Sequence, residues 1–199
     1  MTAEAETTQS VMTTHENNFA IVPTSGVIIA SVYVAGLVVA LVSNTAWAVD
    51  FFHVVSGAMW TAIDLFVGLI IGPIIGRLSP SARREFMIRF MPKMVVIMPA
   101  LVVATLAAGF QLARQHGYIL SSWPHHAWVV ASFIVVGVLT VIAIGVLEPA
   151  NLAVLFEMRK AEPNAVAIEK LMKRFIYTAG ITGIMQVATL IIMTRLATL

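Results

Sequence analysis

Cysteine is absent from the 199 residues, which excludes disulfides, thiolate metal sites and covalent attachment of a c-type haem. Charge is scarce as well: 11% of the residues are Asp, Glu, Lys or Arg, against about a quarter in ordinary soluble domains. With 59% of its residues hydrophobic, such a chain has too little polar surface to face water on all sides, and lipid is the environment that fits. Basic residues are missing from the first 24 positions. The first apolar run therefore lacks the n-region of a cleaved signal peptide and is expected to be retained.

Five apolar segments are each long enough to cross a hydrocarbon layer of about 30 Å, at about 1.5 Å of rise per helical residue. They cover residues 25–43, 51–76, 91–111, 128–147 and 175–193, the fourth with an expected extension past Glu148. In lipid a helix satisfies every backbone hydrogen bond within its own segment. The predicted fold is therefore all-α, an integral membrane bundle of about five transmembrane helices. Residues 25–199 read as one transmembrane domain, and residues 1–24, rich in Thr, Glu and Asn, read as a disordered tail.

Orientation follows from Lys and Arg, which bias short loops to the cytoplasmic side. Arg77, Arg83, Arg84, Arg89 and Lys93 cluster between the second and third segments, and Arg159, Lys160, Lys170, Lys173 and Arg174 between the fourth and fifth. Of the 12 basic residues only Arg114 and Arg195 fall on the other side. The expected placement is a multi-pass protein of the cell membrane, N-terminus cytoplasmic and C-terminus outside. The net charge of +2 and the pI near 9.2 then reflect loops facing anionic lipid, with no need for a nucleic-acid partner.

Polar residues inside the apolar segments carry the functional signal. Asp50, His53, Gly57, Trp60, Asp64 and Gly68 recur at spacings of three or four, which places them on one face of a helix. An ionisable group at membrane depth is costly and belongs against a bundle interior, a cavity or a cofactor. Asp64 is accordingly expected to be buried and either protonated or partnered. Gly68, Gly72 and Gly76 repeat every fourth residue, the pattern of closely approaching helices.

Drawn on this topology, His53, His116, His125 and His126 converge on the outer face, beside Asp50. Neutral imidazole ligates haem iron, copper and zinc, so these five side chains are the candidate metal ligands. The plainer reading makes His53 a hydrogen-bonded core residue and the other three interfacial loop residues. Trp47, Trp123 and Trp128 fit an aromatic belt, whereas Trp60 lies deeper and is a candidate for stacking on a flat cofactor. Met87, Met91, Met94 and Met98 follow helical spacing; thioethers suit Cu(I), although core packing is the commoner role of such a stripe. Glu148, buried in the membrane and followed by Pro149, is a candidate proton relay or a partner for Lys93 or Arg174, at a point where the helix is expected to kink. Thr178, Thr182, Gln186 and Thr189 form a mild polar stripe that suggests interhelical hydrogen bonding.

The stretch Phe52-His53-Val54-Val55-Ser56-Gly57-Ala58-Met59-Trp60, running on to Gly72-Pro73, resembles the first helix of a superfamily of small membrane proteins. That superfamily includes copper-resistance protein D and the membrane protoporphyrinogen oxidase of bacterial haem synthesis. Its pattern is a helix with a His, then a small residue and Trp, then a basic cytoplasmic loop, here residues 77–89 leading into Lys93 and the small-residue run 104–109. The resemblance covers about residues 46–197 and leaves the first helix as an N-terminal addition. In the oxidase branch the family His is implicated in binding haem b, which the resemblance carries over to His53 alone. That branch also has a Lys near the start of a later helix, where this chain reads Trp123-Pro124-His125-His126-Ala127-Trp128 without one. The departure tells against protoporphyrinogen oxidation and leaves a bis-histidine metal centre.

The expected function is a haem b-binding membrane protein in electron transfer, a subunit or partner of a membrane oxidoreductase. His53 would be one axial ligand, His126 or His125 the other, with Trp60 against the ring. The protein would tune the iron by its ligands and burial. Two alternatives stand beside it. One is copper transport, with the outer histidines collecting the ion and the methionines passing it inward. The other is a structural subunit of a membrane complex, without cofactor, whose polar faces only pack on partner helices.

Overall fold

A computed structural model describes residues 19–198. Among the described residues it is an all-α bundle of five helices long and apolar enough to cross a membrane: α1 (Thr24–Ser43), α2 (Ala46–Arg77), α3 (Pro80–Gln115), α4 (His125–Met158) and α5 (Ala165–Ala197). The first 18 positions of the expected disordered tail lie outside the described residues. In the part that is described, Phe19 and Ile21 pack against the bundle core.

Local sequence explains where the helices stop and start. Asn44 ends α1 in the left-handed conformation, at φ 52°, which Asn tolerates better than most residues. Ser79 accepts a hydrogen bond from the Ala82 nitrogen and is followed by Pro80, so α3 opens on a polar cap and a proline at its first position. Asn164 caps α5 by accepting from the nitrogens of Val166 and Ala167. Arg83 turns back onto the end of α2, where Nε donates to the Ile75 oxygen at 3.2 Å and Nη2 to the oxygens of Gly76 and Leu78.

Two helices widen in the same way. The α2 segment Phe66–Ile71 and the α4 segment Ala143–Leu147 are π-helical. Each ends in an amide bonded five residues back, Gly72 to Val67 and Glu148 to Ala143, immediately before Pro73 or Pro149. A proline has no N–H for the carbonyl four residues earlier, and its ring clashes with that carbonyl, so a wider turn relieves both problems. The kink expected at Pro149 thus takes the form of a π segment. α3 carries Pro92 and Pro99 within one continuous α-helix.

Helices α2 to α5 close a four-membered ring in which α2 packs on α3 and α5, and α4 packs on α5 and, through its Glu148–Met158 part, on α3. α1 lies outside the ring, against α3 and α2. Tyr33 on α1 hydrogen-bonds Ser56 on α2 at 2.5 Å, and Gln115 on α3 donates to the Asn44 carbonyl and side chain. We name the two ends of the bundle by their residues: the basic end holds the α2–α3 and α4–α5 connections, and the histidine end holds the α1–α2 and α3–α4 connections. At the basic end one apolar cluster joins all four ring helices, including Val67, Met87, Met91, Leu155, Met158 and Phe175. At the histidine end the buried residues fall into two separate clusters. Leu37, Val49, Ala104 and Ala108 join α1, α2 and α3, whereas Val129, Ile192 and Leu196 join α4 and α5.

Candidate functional site

Glycines set up the closest contact between α2 and α5. A Cβ placed on Gly68 would lie 2.2 Å from Gly180 Cα, and one on Gly72 would lie 2.4 Å from Ile176 Cγ2. On the facing helix, a Cβ on Gly183 would lie 2.9 Å from the Leu65 nitrogen. Small residues permit such backbone proximity, and larger ones would part the helices. Gly76, the third glycine of the repeat, has open space around it and takes no part.

Because α2 and α5 are this close, the short Asp64 side chain spans the gap. Its Oδ2 accepts from Gln186 Nε2 at 2.9 Å and from Thr182 Oγ1 at 3.2 Å. Asp64, Thr182 and Gln186 are 2%, 0% and 3% exposed. The Thr182 hydroxyl also reaches the oxygens of Ala179 at 2.9 Å and Thr178 at 3.0 Å. It owns a single proton, so donating to Asp64 competes with donating back to its own helix. An ionised carboxylate at this depth is costly, and charge-assisted donors offset part of that cost.

Unpaired polar atoms surround this cluster. Trp60 lies one turn from Asp64 with its indole nitrogen on the carboxyl side, yet Nε1 closes no hydrogen bond. Gln186 Oε1 and Thr189 Oγ1 are likewise buried without a partner. Trp60 and Gln186 both neighbour the carboxyl, and their atoms without partners leave hydrogen-bonding capacity to spare there, since each unmet group costs about 1–3 kcal/mol. Farther toward the basic end, Glu148 is half-buried and has no ion pair or hydrogen bond among the described residues; the expected pairing with Lys93 or Arg174 does not form. Asn151, one turn on, is fully buried and donates weakly to the Met91 oxygen at 3.5 Å, with its own Oδ1 unpaired.

The histidines are dispersed. His53 Nδ1 lies 3.0 Å from the Thr105 oxygen, and its ring rests on Gly109, where a Cβ would come within 2.7 Å of His53 Cε1. A carbonyl only accepts, so Nδ1 carries the hydrogen and Nε2 is the basic nitrogen. His116 and His125 stack on Tyr118, with centroid distances of 5.3 and 5.9 Å, while His126 and Asp50 are exposed. Among the described residues no three or more His, Asp or Glu side chains group as metal ligands, so the set His53, His116, His125, His126 and Asp50 is not assembled.

A porphyrin held between His53 and His125 or His126 requires α2 and α4 to face one another across it. The two are the diagonal pair of the ring, each packing on α3 and α5, and the middle of the ring is filled by Trp60, Leu101, Val102, Leu139 and Ala143. Among the described residues, those side chains occupy the space at mid-bundle that a porphyrin between α2 and α4 would need. Trp60, expected against a flat cofactor, packs on side chains of α3 and α4. Met87, Met91 and Met94 are buried, the first two packed in the core among Met158, Met172 and Phe175. Trp47 and Trp123 are exposed near the histidine end, as an aromatic belt requires.

Sequence reasoning singled out Asp64 and, separately, the stripe of Thr182, Gln186 and Thr189. It did not join them, because only the bundle geometry faces α2 with α5. Asn151 was missed altogether; its place one turn after Glu148 was the available signal. Compared with known protein families, with curated proteins and with solved structures, the chain matches none of them.

Proposed function

We propose that this multi-pass membrane protein carries protons across the bilayer, with Asp64 as the group that takes up and releases them. The observation that carries the reading is a carboxyl buried at mid-bundle, held to a second helix by two neutral side chains, with unpaired donors and acceptors around it. A buried intramembrane carboxyl is the usual mark of a proton or ion path. When Asp64 takes a proton, its oxygens become weaker acceptors, and the Thr182 hydroxyl is free to turn to the Ala179 and Thr178 oxygens. The tie between α2 and α5 then loosens. The π segment directly after Asp64 and its counterpart before Glu148 are places where each helix can bend without losing its backbone bonds wholesale. Glu148 and Asn151 extend the polar route toward the basic end.

The basic end is placed in the cytoplasm on the positive-inside rule, with the N-terminus inside and the C-terminus outside the cell membrane. Reporter fusions after residues 82 and 164 should report cytoplasm and a C-terminal fusion the outside; the reverse pattern would invert the bundle. For the function itself, the full chain reconstituted in liposomes should collapse an imposed pH gradient, read by an internal pH dye, and Asp64→Asn should abolish that leak. Flux unchanged in Asp64→Asn, or none in the native chain, would remove the reading.

A second reading, haem b electron transfer with His53 as an axial ligand, has one observation in its favour. The Nδ1–H bond to the Thr105 oxygen orients the ring and leaves Nε2 basic, as a metal-binding histidine requires. The opposite ligand would come from a partner protein. A Soret band in the purified protein that vanishes in His53→Ala would support it, whereas protein that stays colourless with haemin would end it.

A further inference from the structure

At the basic end, an open groove of about 470 Å³ runs along the first four turns of α3, lined by Leu78, Ala82, Glu85, Phe86, Arg89, Phe90 and Lys93. Its floor is apolar. Phe86 and Phe90 stack at 5.1 Å between centroids, and both lean on the basic-end core. Its rim is cationic. Lys93 is exposed and makes no hydrogen bond or ion pair among the described residues. Arg89 gives Nη1 to Glu85 on the surface, and its remaining N–H groups stay available. The groove therefore offers two cations beside one apolar trough, with a single carboxylate already paired.

Its level in the bilayer follows from helix register. His53 lies against Gly109 and Gly57 against Thr105, so Lys93 comes level with residue 69 of α2. That is about 12 Å along the axis from Arg77, at about 1.5 Å per residue. The groove thus starts beside the polar α2–α3 connection and reaches up into the hydrocarbon. A Lys just inside the hydrocarbon edge extends its ammonium back toward the headgroups.

We propose that this groove seats one anionic phospholipid, its phosphate between Arg89 and a Lys93 ammonium drawn back toward the basic connection, and its first acyl carbons on the apolar floor at Phe90, which Phe86 supports from below. The chemistry is that of a phosphodiester with an attached apolar chain. A free phosphate would leave the aromatic floor uncovered, and a zwitterionic lipid would bring its own cation to a rim that already has two.

The test is native mass spectrometry of the full chain with added dioleoyl phosphatidylglycerol or dioleoyl phosphatidylcholine. One phosphatidylglycerol should stay bound at activation energies that strip phosphatidylcholine. Arg89→Gln with Lys93→Gln should weaken that binding roughly thirtyfold, at about 1 kcal/mol per interfacial cation. Phe86→Ala with Phe90→Ala should also weaken it, and Arg159→Gln with Lys160→Gln in the other basic connection should not. Circular dichroism and melting of each variant confirm that it folds, and restoring the charges as Arg89→Lys with Lys93→Arg should recover binding. Equal retention of both lipids, unchanged binding in the Arg89/Lys93 variant, or displacement by millimolar inorganic phosphate would each overturn the proposal.

Discussion

The two ends of the bundle are built from similar apolar residues and hold together differently. At the basic end one core draws on all four ring helices, and Val154, Leu155 and Met158 at its centre are fully buried. At the histidine end the core divides, α1, α2 and α3 on one side and α4 and α5 on the other. The rings of Phe110 and Phe133 meet across the gap at 6.4 Å, both half-exposed. In lipid there is no general hydrophobic force between helices, so close packing and interhelical hydrogen bonds decide which surfaces stay together. The lesson is that the basic end clamps the four ring helices in one core, whereas at the histidine end the described residues form no core common to all four. Asp64 sits at the boundary between the two regimes.

The strongest way to break this arrangement is to part α2 from α5 at the clamp. Gly68→Leu would drive a side chain into the Gly180 backbone, with an expected cost of about 3 kcal/mol or more from overpacking. Thermal unfolding in detergent should show the loss, and Asp64 should no longer accept from Gln186. Gly76→Leu, where nothing lies within 4 Å, should be near neutral; equal damage from the two would refute the assignment of Gly68 to the contact.

A matched pair of truncations sharpens the comparison next. Val154→Ala at the basic end and Val129→Ala at the histidine end remove the same two methyl groups from buried sites, 0% and 4% exposed. Val154→Ala should cost about 1–2 kcal/mol, mostly through the cavity it leaves in a core closed on all sides. Val129→Ala should cost less than half of that. The reverse order, read from melting midpoints, would show that the histidine end is the tighter one.

Smaller effects follow at the backbone and at α1. Hydrogen exchange in detergent micelles should be faster in His125–Ile142 than in Glu148–Met158, because opening costs less where fewer contacts must break. Uniform protection along α4 would contradict the divided core. Asn44→Ala removes the Oδ1 that accepts from Gln111 and Gln115, keeps the backbone acceptor, and places alanine in a left-handed conformation. A cost of about 1 kcal/mol, seen as faster proteolysis between α1 and α2, is expected to leave the ring of four intact.

Much of this was legible in the residues. Five apolar runs, the basic connections and the proline at 149 announce five helices and a distortion in α4, because hydrophobic length and the missing proline N–H act locally and are independent of neighbours. The glycine repeat announced a close contact, and Asp64 announced a buried partner. The partner itself lies more than a hundred positions away in the chain, and periodicity carries no information about which helix faces which. The same limit applies to the histidines, whose placement at one end follows from topology, whereas it took the packing to seat His53 on the Thr105 carbonyl and to stack His116 and His125 on Tyr118.

By itself, then, the sequence determined the environment, the number of helices and their polar stripes, since each depends on a single segment meeting lipid or water. Tertiary structure decided the rest: that α2 meets α5 through Gly68 and Gly180, that Asp64 therefore bonds Thr182 and Gln186, and that His53 turns to the Thr105 carbonyl. The physical reason is that apolar helices are nearly interchangeable to lipid. Their partners are chosen by shape and by a few hydrogen bonds, which exist only once the helices are side by side.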